Sequence, residues 1–245
     1  MSIYDKRKMN EILAGNEYQG RGIVIGNTPD TTKAVIAYFI MGRSENSRNR
    51  VFRSEGDDVM IYPYDESKVE DPSLIIYAPV RTIGNKLIVT NGDQTDTIRD
   101  YVKEGRSFKA ALETREFEPD GPNWTPRISG MLTFGSDIES KGEFTYEMSI
   151  LKSVDEIGSE CARYTYSYPS IPGLGHFIHT YETNGNPLPT FQGEPRRVAI
   201  PNDPKELFDE IWGTLNEDNK ISLYVRYTNL LTGEYEDICV NKNEL

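Results

Sequence analysis

The chain has 245 residues, 37% of them hydrophobic and 27% charged, with a formal net charge of -12. This length can bury a sizeable core, and the acidity excludes extended DNA or RNA binding, which needs a basic face. No apolar run approaches the roughly 18 residues of a membrane span, and the polar segment 1–10 lacks the apolar core of a signal peptide, so a cytoplasmic location is expected.

Taken in chain order, residues 3–14 predict a short amphipathic helix with Tyr4, Met9, Ile12 and Leu13 on its apolar side and Gly15 at its end. Strands follow at 22–26 and 34–41, with a turn at 27–32 between them, and again at 59–64, 74–80 and 86–90. Such apolar runs suit strands covered on both faces. Asp93 is placed to cap a helix over 94–103 with Gly105 beyond it, and Ser107 to cap a second through Glu113. Strands resume at 127–134, 144–151 and 162–168. In the last, Tyr164, Tyr166 and Tyr168 alternate with polar residues and read as one packed sheet face. The proline- and glycine-rich stretch 169–201 reads as an ordered surface segment over one end of a sheet. Asp203-Pro204 opens a helix with Leu207, Phe208, Ile211, Trp212 and Leu215 as its buried stripe. Strands at 221–228 and 235–240 close the chain. The pattern predicts one α+β domain over residues 1–245, with helices outside stacked sheets.

The most unusual local feature is the stretch 41–53, which carries Arg43, Arg48, Arg50 and Arg53 interleaved with Ser44, Asn46, Ser47 and Asn49. Guanidinium forks match phosphate and carboxylate oxygens, so an anion site is set against a solvated basic loop. The run Gly20 to Gly26 is GxGxxxG with the strand inside it, which excludes a dinucleotide fingerprint. His176 and His179 are the two histidines; HxxH alone falls short of a catalytic metal site, so packing in a loop or at the surface is expected. Cys161 and Cys239 have no metal or redox spacing and read as buried, reduced thiols. Any acid–base chemistry then falls to Tyr, Glu, Asp, Lys or Arg. Glu118, Asp120 and the turn 91–96 are noticed in turn-rich segments, where capping alone explains them.

Several segments together resemble the archaeal-type IMP (inosine monophosphate) cyclohydrolase family and its bacterial relatives. They are Tyr18-Gln-Gly-Arg-Gly22, Ala37-Tyr38, Gly42-Arg-Ser44, Asn49-Arg50, Asp71-Pro72, Tyr77, Arg81, Thr90-Asn-Gly92, Thr95-Asp-Thr-Ile98, Phe117-Glu118, Asp120 and Thr125-Pro-Arg-Ile128. They cover about residues 18–130 in order. Beyond them, 191–196 is noted as a further site segment. The resemblance implies a four-layer αββα sandwich like that of the N-terminal-nucleophile hydrolases. It also implies dehydrative ring closure of 5-formamidoimidazole-4-carboxamide ribotide to IMP, with no metal and no cofactor. By motif, Tyr77 would exchange a proton with the formyl oxygen and Glu118 would act on the carboxamide nitrogen. Arg50 would stabilise developing negative charge or grip the base. Arg21 and Arg43 would hold the 5′-phosphate, Asn91 and Thr125 would orient the carboxamide or ribose, and Arg48, Arg81 and Arg127 would complete the substrate site. The implied partner is a small purine ribotide, and the oligomeric state, a homo-oligomer included, is left open. Two other readings remain: a non-catalytic purine-nucleotide-binding protein that keeps the arginine loop, and an amide hydrolase on the same fold. The hydrolase would need an exposed N-terminal nucleophile. Ser2 precedes a predicted helix and is poorly placed for that.

Overall fold

The computed structural model describes residues 2, 4–69, 76–136 and 139–245. It is an α+β structure built on two antiparallel sheets. The first sheet has the strand order β11-β10-β1-β2-β12-β13. These strands are β1 (Arg21–Asn27), β2 (Lys33–Met41), β10 (Leu174–His179), β11 (Arg196–Ala199), β12 (Lys220–Asn229) and β13 (Tyr235–Asn241). The second runs β3-β4-β5-β6-β7-β8-β9. Its strands are β3 (Val51–Glu55), β4 (Asp58–Tyr62), β5 (Val80–Ile83), β6 (Lys86–Thr90), β7 (Arg127–Phe134), β8 (Phe144–Ser153) and β9 (Cys161–Pro169).

Side-chain alternation along the strands sorts the apolar residues into three clusters. Ile23, Ile25, Ile36 and Tyr38 of the first sheet meet Val59, Ile61, Leu87, Val89 and Leu132 of the second, which fills the space between the sheets. The alternate residues Val24, Val35 and Phe39 pack against Met9, Leu13, Leu207 and Ile211, from α1 (Met9–Leu13) and α5 (Pro204–Trp212). On the far side, Ile88 and Met131 pack against Ile98, Phe108 and Leu112, from α3 (Gln94–Lys103) and α4 (Phe108–Leu112). Helices therefore flank a pair of stacked sheets. Both faces of β1 and β2 are covered, as their unbroken apolar runs predict. Gly22 and Gly26 serve this packing: a Cβ on Gly22 would collide with the Phe39 ring, and one on Gly26 would lie 2.6 Å from the Gly175 Cα. No helix among the described residues is long and apolar enough to cross a membrane.

Several elements differ from expectation. The first helix spans only Met9–Leu13, and Tyr4 is exposed. The arginine stretch contains a short helix, α2 (Glu45–Arg48), and then β3, neither of which its polar sequence announces. The expected strand at 74–80 begins outside the described residues, as does Asp71-Pro72; the described strand starts at Val80. Stretch 169–201 is not a surface cover alone. It contributes β10, buried throughout, and β11 to the first sheet. Its proline and glycine lie in the flanking turns, and turn signals dominate a short strand between them. Strand β9 is an edge, so Tyr164 is exposed, while Tyr168 stacks on His176 with centroids 3.7 Å apart. Cys161 is half-buried and Cys239 exposed; both are free thiols.

Candidate active site

One end of the sandwich opens into a cleft of about 510 Å³. That volume lies within the roughly 300–1,000 Å³ range usual for small-molecule sites. Strand direction explains which residues gather there. Arg21 starts β1, and Arg43, Ser44, Ser47 and Arg50 follow the end of β2. Tyr77 precedes β5, Asp93 follows β6, Glu118 to Arg127 lead into β7, and Tyr181 follows β10.

Tyr77 is buried at the floor, and its hydroxyl lies 3.2 Å from that of Tyr38. Burial raises its pKa, against the opposing pull of Arg50 and Arg21, so the phenol is neutral and holds a transferable proton. Burial also raises the pKa of Glu118, opposed by Arg127 and Arg21, which makes this carboxylate a stronger proton acceptor than an exposed one. Burial works against the charge of Arg21, but Tyr18, Tyr77, Tyr38 and Glu118 around it outweigh that and raise its pKa. Arg50 is lowered by burial and by the charge of Arg21, and its Nε is buried with no hydrogen-bond partner. Two cations thus share the floor with Glu118, and one guanidinium N–H is unspent. A buried donor without a partner is costly, and an anionic group entering the cleft would relieve that cost.

Arg43 is exposed at the mouth. It donates to Asn184 Oδ1 at 2.7 Å and to the Gly185 carbonyl at 2.8 Å, and lies over the Tyr18 ring. Ser44 and Ser47 form a capping box on α2, which fixes this rim. Arg127 lines the cleft and donates to Asp93 and Gln94, each at 2.7 Å. Asp93 does not cap α3 with its side chain. It is committed to Arg127 and to Arg115, and the two hold its pKa below the ordinary range despite partial burial. Thr125 also lines the cleft. Its hydroxyl bonds the Asp120 carboxylate and lies 2.5 Å from the Tyr181 hydroxyl.

Of the residues singled out from sequence, Tyr77, Glu118, Arg50, Arg21, Arg43, Thr125 and Arg127 meet in this cleft. Three do not. Arg48 points away and donates to the Gly42 carbonyl and Asn219. Arg81 is held by Asp58 and Asp96 and does not line the cleft; the charges that act on Tyr77 are those of Arg50 and Arg21. Asn91 is buried outside the cleft lining, with its amide bonded to the Pro126 carbonyl, Gln94 and the Ile128 N–H, so it shapes the turn. Arg53, which alternation turns outward from β3, pairs with Glu244. Segment 191–196 is also structural: Phe191 is core, Gln192 receives support from Glu182, and Arg196 pairs with Glu182.

The histidines are not a ligand pair, nor do they sit in a loop. Three residues apart on β10, they face opposite sides of the sheet. His176 lies 2.6 Å from the Tyr146 hydroxyl and His179 lies 2.8 Å from the Tyr181 carbonyl. Burial lowers their pKa values to about 4 and about 3. Among the described residues, no cluster of three or more His, Cys, Asp or Glu is arranged to hold a metal ion. Sequence reasoning gave Tyr18 and Tyr181 no part in the site, and Asp93 only that of a helix cap. Tyr18 heads one of the matched motifs. Tyr181 lies in the proline-rich stretch, and only the pairing of β10 with β1 brings it to the cleft.

Comparison with known proteins shows the family. A family model described as IMP cyclohydrolase-like protein matches residues 18–234. An IMP cyclohydrolase of Methanococcus aeolicus is 34% identical over 169 residues, 67% of this chain and 74% of that protein. One from Methanosphaera stadtmanae is 30% identical over 171 residues, 68% of this chain and 75% of that protein. One from Methanococcus maripaludis (strain C7) is 36% identical over 121 residues, 47% of this chain and 58% of that protein. The match extends far past residue 130, through β10 and β12, and the chain belongs to the IMP cyclohydrolase-like protein family.

Proposed function

We propose that the protein is an IMP cyclohydrolase that dehydrates 5-formamidoimidazole-4-carboxamide ribotide to close the second ring of IMP. The observation that carries this reading is the convergence of Tyr77, Glu118, Arg21 and Arg50 in one cleft of a chain belonging to that family. We read the stacked sheets with outer helices as the αββα arrangement of the N-terminal-nucleophile hydrolases, within one domain.

The carboxamide nitrogen is a weak nucleophile, because its lone pair is delocalised into the carbonyl. Glu118 takes a proton from it as it attacks the formyl carbon. Tyr77, a neutral phenol, gives a proton to the formyl oxygen. The guanidinium N–H groups of Arg50 and Arg21 face the charge that develops on that oxygen, and fixed donors of this kind are each worth roughly 3–4 kcal/mol. Holding the two reacting groups in contact contributes several kcal/mol more. At the mouth, Arg43 with Ser44, Asn46 and Ser47 takes the 5′-phosphate, in place of its present bonds to Asn184 and Gly185. Arg21 sits deeper and serves the reacting end. Arg127, held by Asp93, orients the Glu118 carboxylate.

The amide-hydrolase reading finds no nucleophile at Ser2. Its nitrogen donates to Asp5 on the exposed N-terminal segment, away from the cleft residues. The test of function is incubation of the purified protein with the formamido ribotide, with IMP followed by chromatography. Enzyme-dependent IMP is the expected result. Tight IMP binding without turnover would support a binding protein instead.

A further inference from the structure

The hydroxyl network on the wall of the cleft has a fixed proton order. The Asp120 carboxylate accepts from the Thr125 N–H at 2.6 Å and from the Thr125 hydroxyl. A threonine hydroxyl has a single proton. Thr125 spends it on Asp120, so its oxygen must accept from the Tyr181 hydroxyl, 2.5 Å away. The chain therefore reads Tyr181 O–H to Thr125 O–H to Asp120 carboxylate. Tyr181 is buried, whereas Asp120 is exposed to solvent, and all three line the cleft. The loop that carries it is clamped: Trp124 holds a left-handed backbone at φ 44°, donates to the Glu156 carbonyl at 2.9 Å and packs edge-on against Phe117. Burial raises the Tyr181 pKa, which keeps its proton in place to be relayed and not lost.

We propose that Tyr181, Thr125 and Asp120 form an outward proton relay for the dehydration half of the reaction. This rests on the cyclohydrolase reading above. Ring closure moves one proton from the carboxamide nitrogen to Glu118 and one from Tyr77 to the former formyl oxygen. Dehydration then breaks the C–O bond, and the departing hydroxyl takes the proton stored on Glu118 and leaves as water. The adjacent ring nitrogen must lose its own proton as the C=N bond forms. Tyr181 oxygen accepts that proton while its own passes to Thr125 and the threonine proton passes to Asp120, from which solvent removes it. Tyr77 regains a proton from solvent. Glu118, Tyr77 and the relay each end as they began, and no oxidant or metal enters the balance. Glu118 still holds the first proton until the hydroxyl departs, so it is not free to accept the second as the C=N bond forms; the relay gives that proton a separate exit.

The test compares wild type with Thr125→Val, Thr125→Ser and Tyr181→Phe in kcat, KM and IMP affinity. Thr125→Val removes the middle hydroxyl at nearly constant shape and is expected to lower kcat by about 10²-fold, the scale of a lost proton-transfer group. IMP affinity should change little. Thr125→Ser keeps a hydroxyl and should recover most of kcat. Thr125→Val and Tyr181→Phe together should cost no more than either alone, because each breaks the same chain. A Thr125→Val enzyme with kcat within twofold of wild type would overturn the relay, as would a Thr125→Ser enzyme as slow as Thr125→Val. If wild type itself forms no IMP, the cyclohydrolase reading fails and the relay fails with it.

Discussion

At the residue scale, the cleft sets two titratable groups against each other. Burial keeps Tyr77 protonated and makes Glu118 more basic, while Arg21 and Arg50 moderate both shifts. Such opposed environments are how a fold assigns acid and base roles. The folded-state pKa of Glu118 lies above its unfolded value, so its ionised form opposes folding. That cost is absent below the ordinary carboxylate pKa of about 4.3 and grows as pH rises through the raised value. Glu118→Gln should therefore be more stable than wild type at pH 8, with the difference shrinking toward pH 4, as read from chemical denaturation at the two pH values. The same substitution should lower kcat by about 10²-fold or more and remove the acidic limb of the pH–rate profile. Equal stability at both pH values would show that Glu118 is not desolvated.

At the scale of elements, the rim depends on a four-residue helix that could not stand alone. Ser44 and Ser47 hold α2 through reciprocal bonds of 3.2 and 3.1 Å, with Arg43 on one side and Arg50 on the other. Ser44→Ala should weaken ribotide binding by about fivefold, the equivalent of a cap worth ~1 kcal/mol, with kcat nearly unchanged. Steady-state kinetics separates the two. A fall in kcat with constant KM would place Ser44 in the chemistry itself. Strand β1 makes the opposite point, since its glycines are fixed by packing. Gly22→Ala should lower stability by about 1–3 kcal/mol through overpacking against Phe39, measured by denaturant unfolding. Elements of this kind were uneven in legibility. Strands β6 and β7 and the helix after Ser107 followed directly from apolar runs and caps, because each is decided by neighbouring residues. Helix α2 and strand β3 escaped notice because their stability comes from the capping box and from pairing with β4, not from their own polar sequence.

At the scale of the whole molecule, topology decides which polar residues meet. Arg50 reaches the cleft while Arg48 and Arg53 do not, although all three lie within six residues of one another; the helix-to-strand transition between them sends each in a different direction. Sequence proximity therefore found the arginine loop but could not rank its members. Asn91 differs from expectation for a related reason: a turn asparagine's amide is drawn to the backbone, here to the Pro126 carbonyl and the Ile128 N–H, outside the cleft lining. The buried histidines give the sandwich a pH signature of its own. Both have folded pKa values well below the ordinary 6.5, so the unfolded chain takes up protons first as pH falls. Their contribution to stability should be full above about pH 6.5 and decline as pH drops toward 3–4. His179 packs between Phe177 and Phe191 with its Nε2 unpartnered. His179→Phe should flatten that decline in denaturation curves recorded from pH 7 to pH 4, and an unchanged slope would show that His179 is not held neutral by burial.

The central claim is that Tyr77, at the floor of the cleft, moves a proton during IMP formation. The direct measurement is kcat for the formamido ribotide, together with the IMP dissociation constant, in wild type and Tyr77→Phe. The phenylalanine keeps the ring in its packed position and removes only the hydroxyl. The account predicts that kcat falls by about 10²-fold or more while IMP affinity stays within a few-fold. Near-normal turnover by Tyr77→Phe would contradict it.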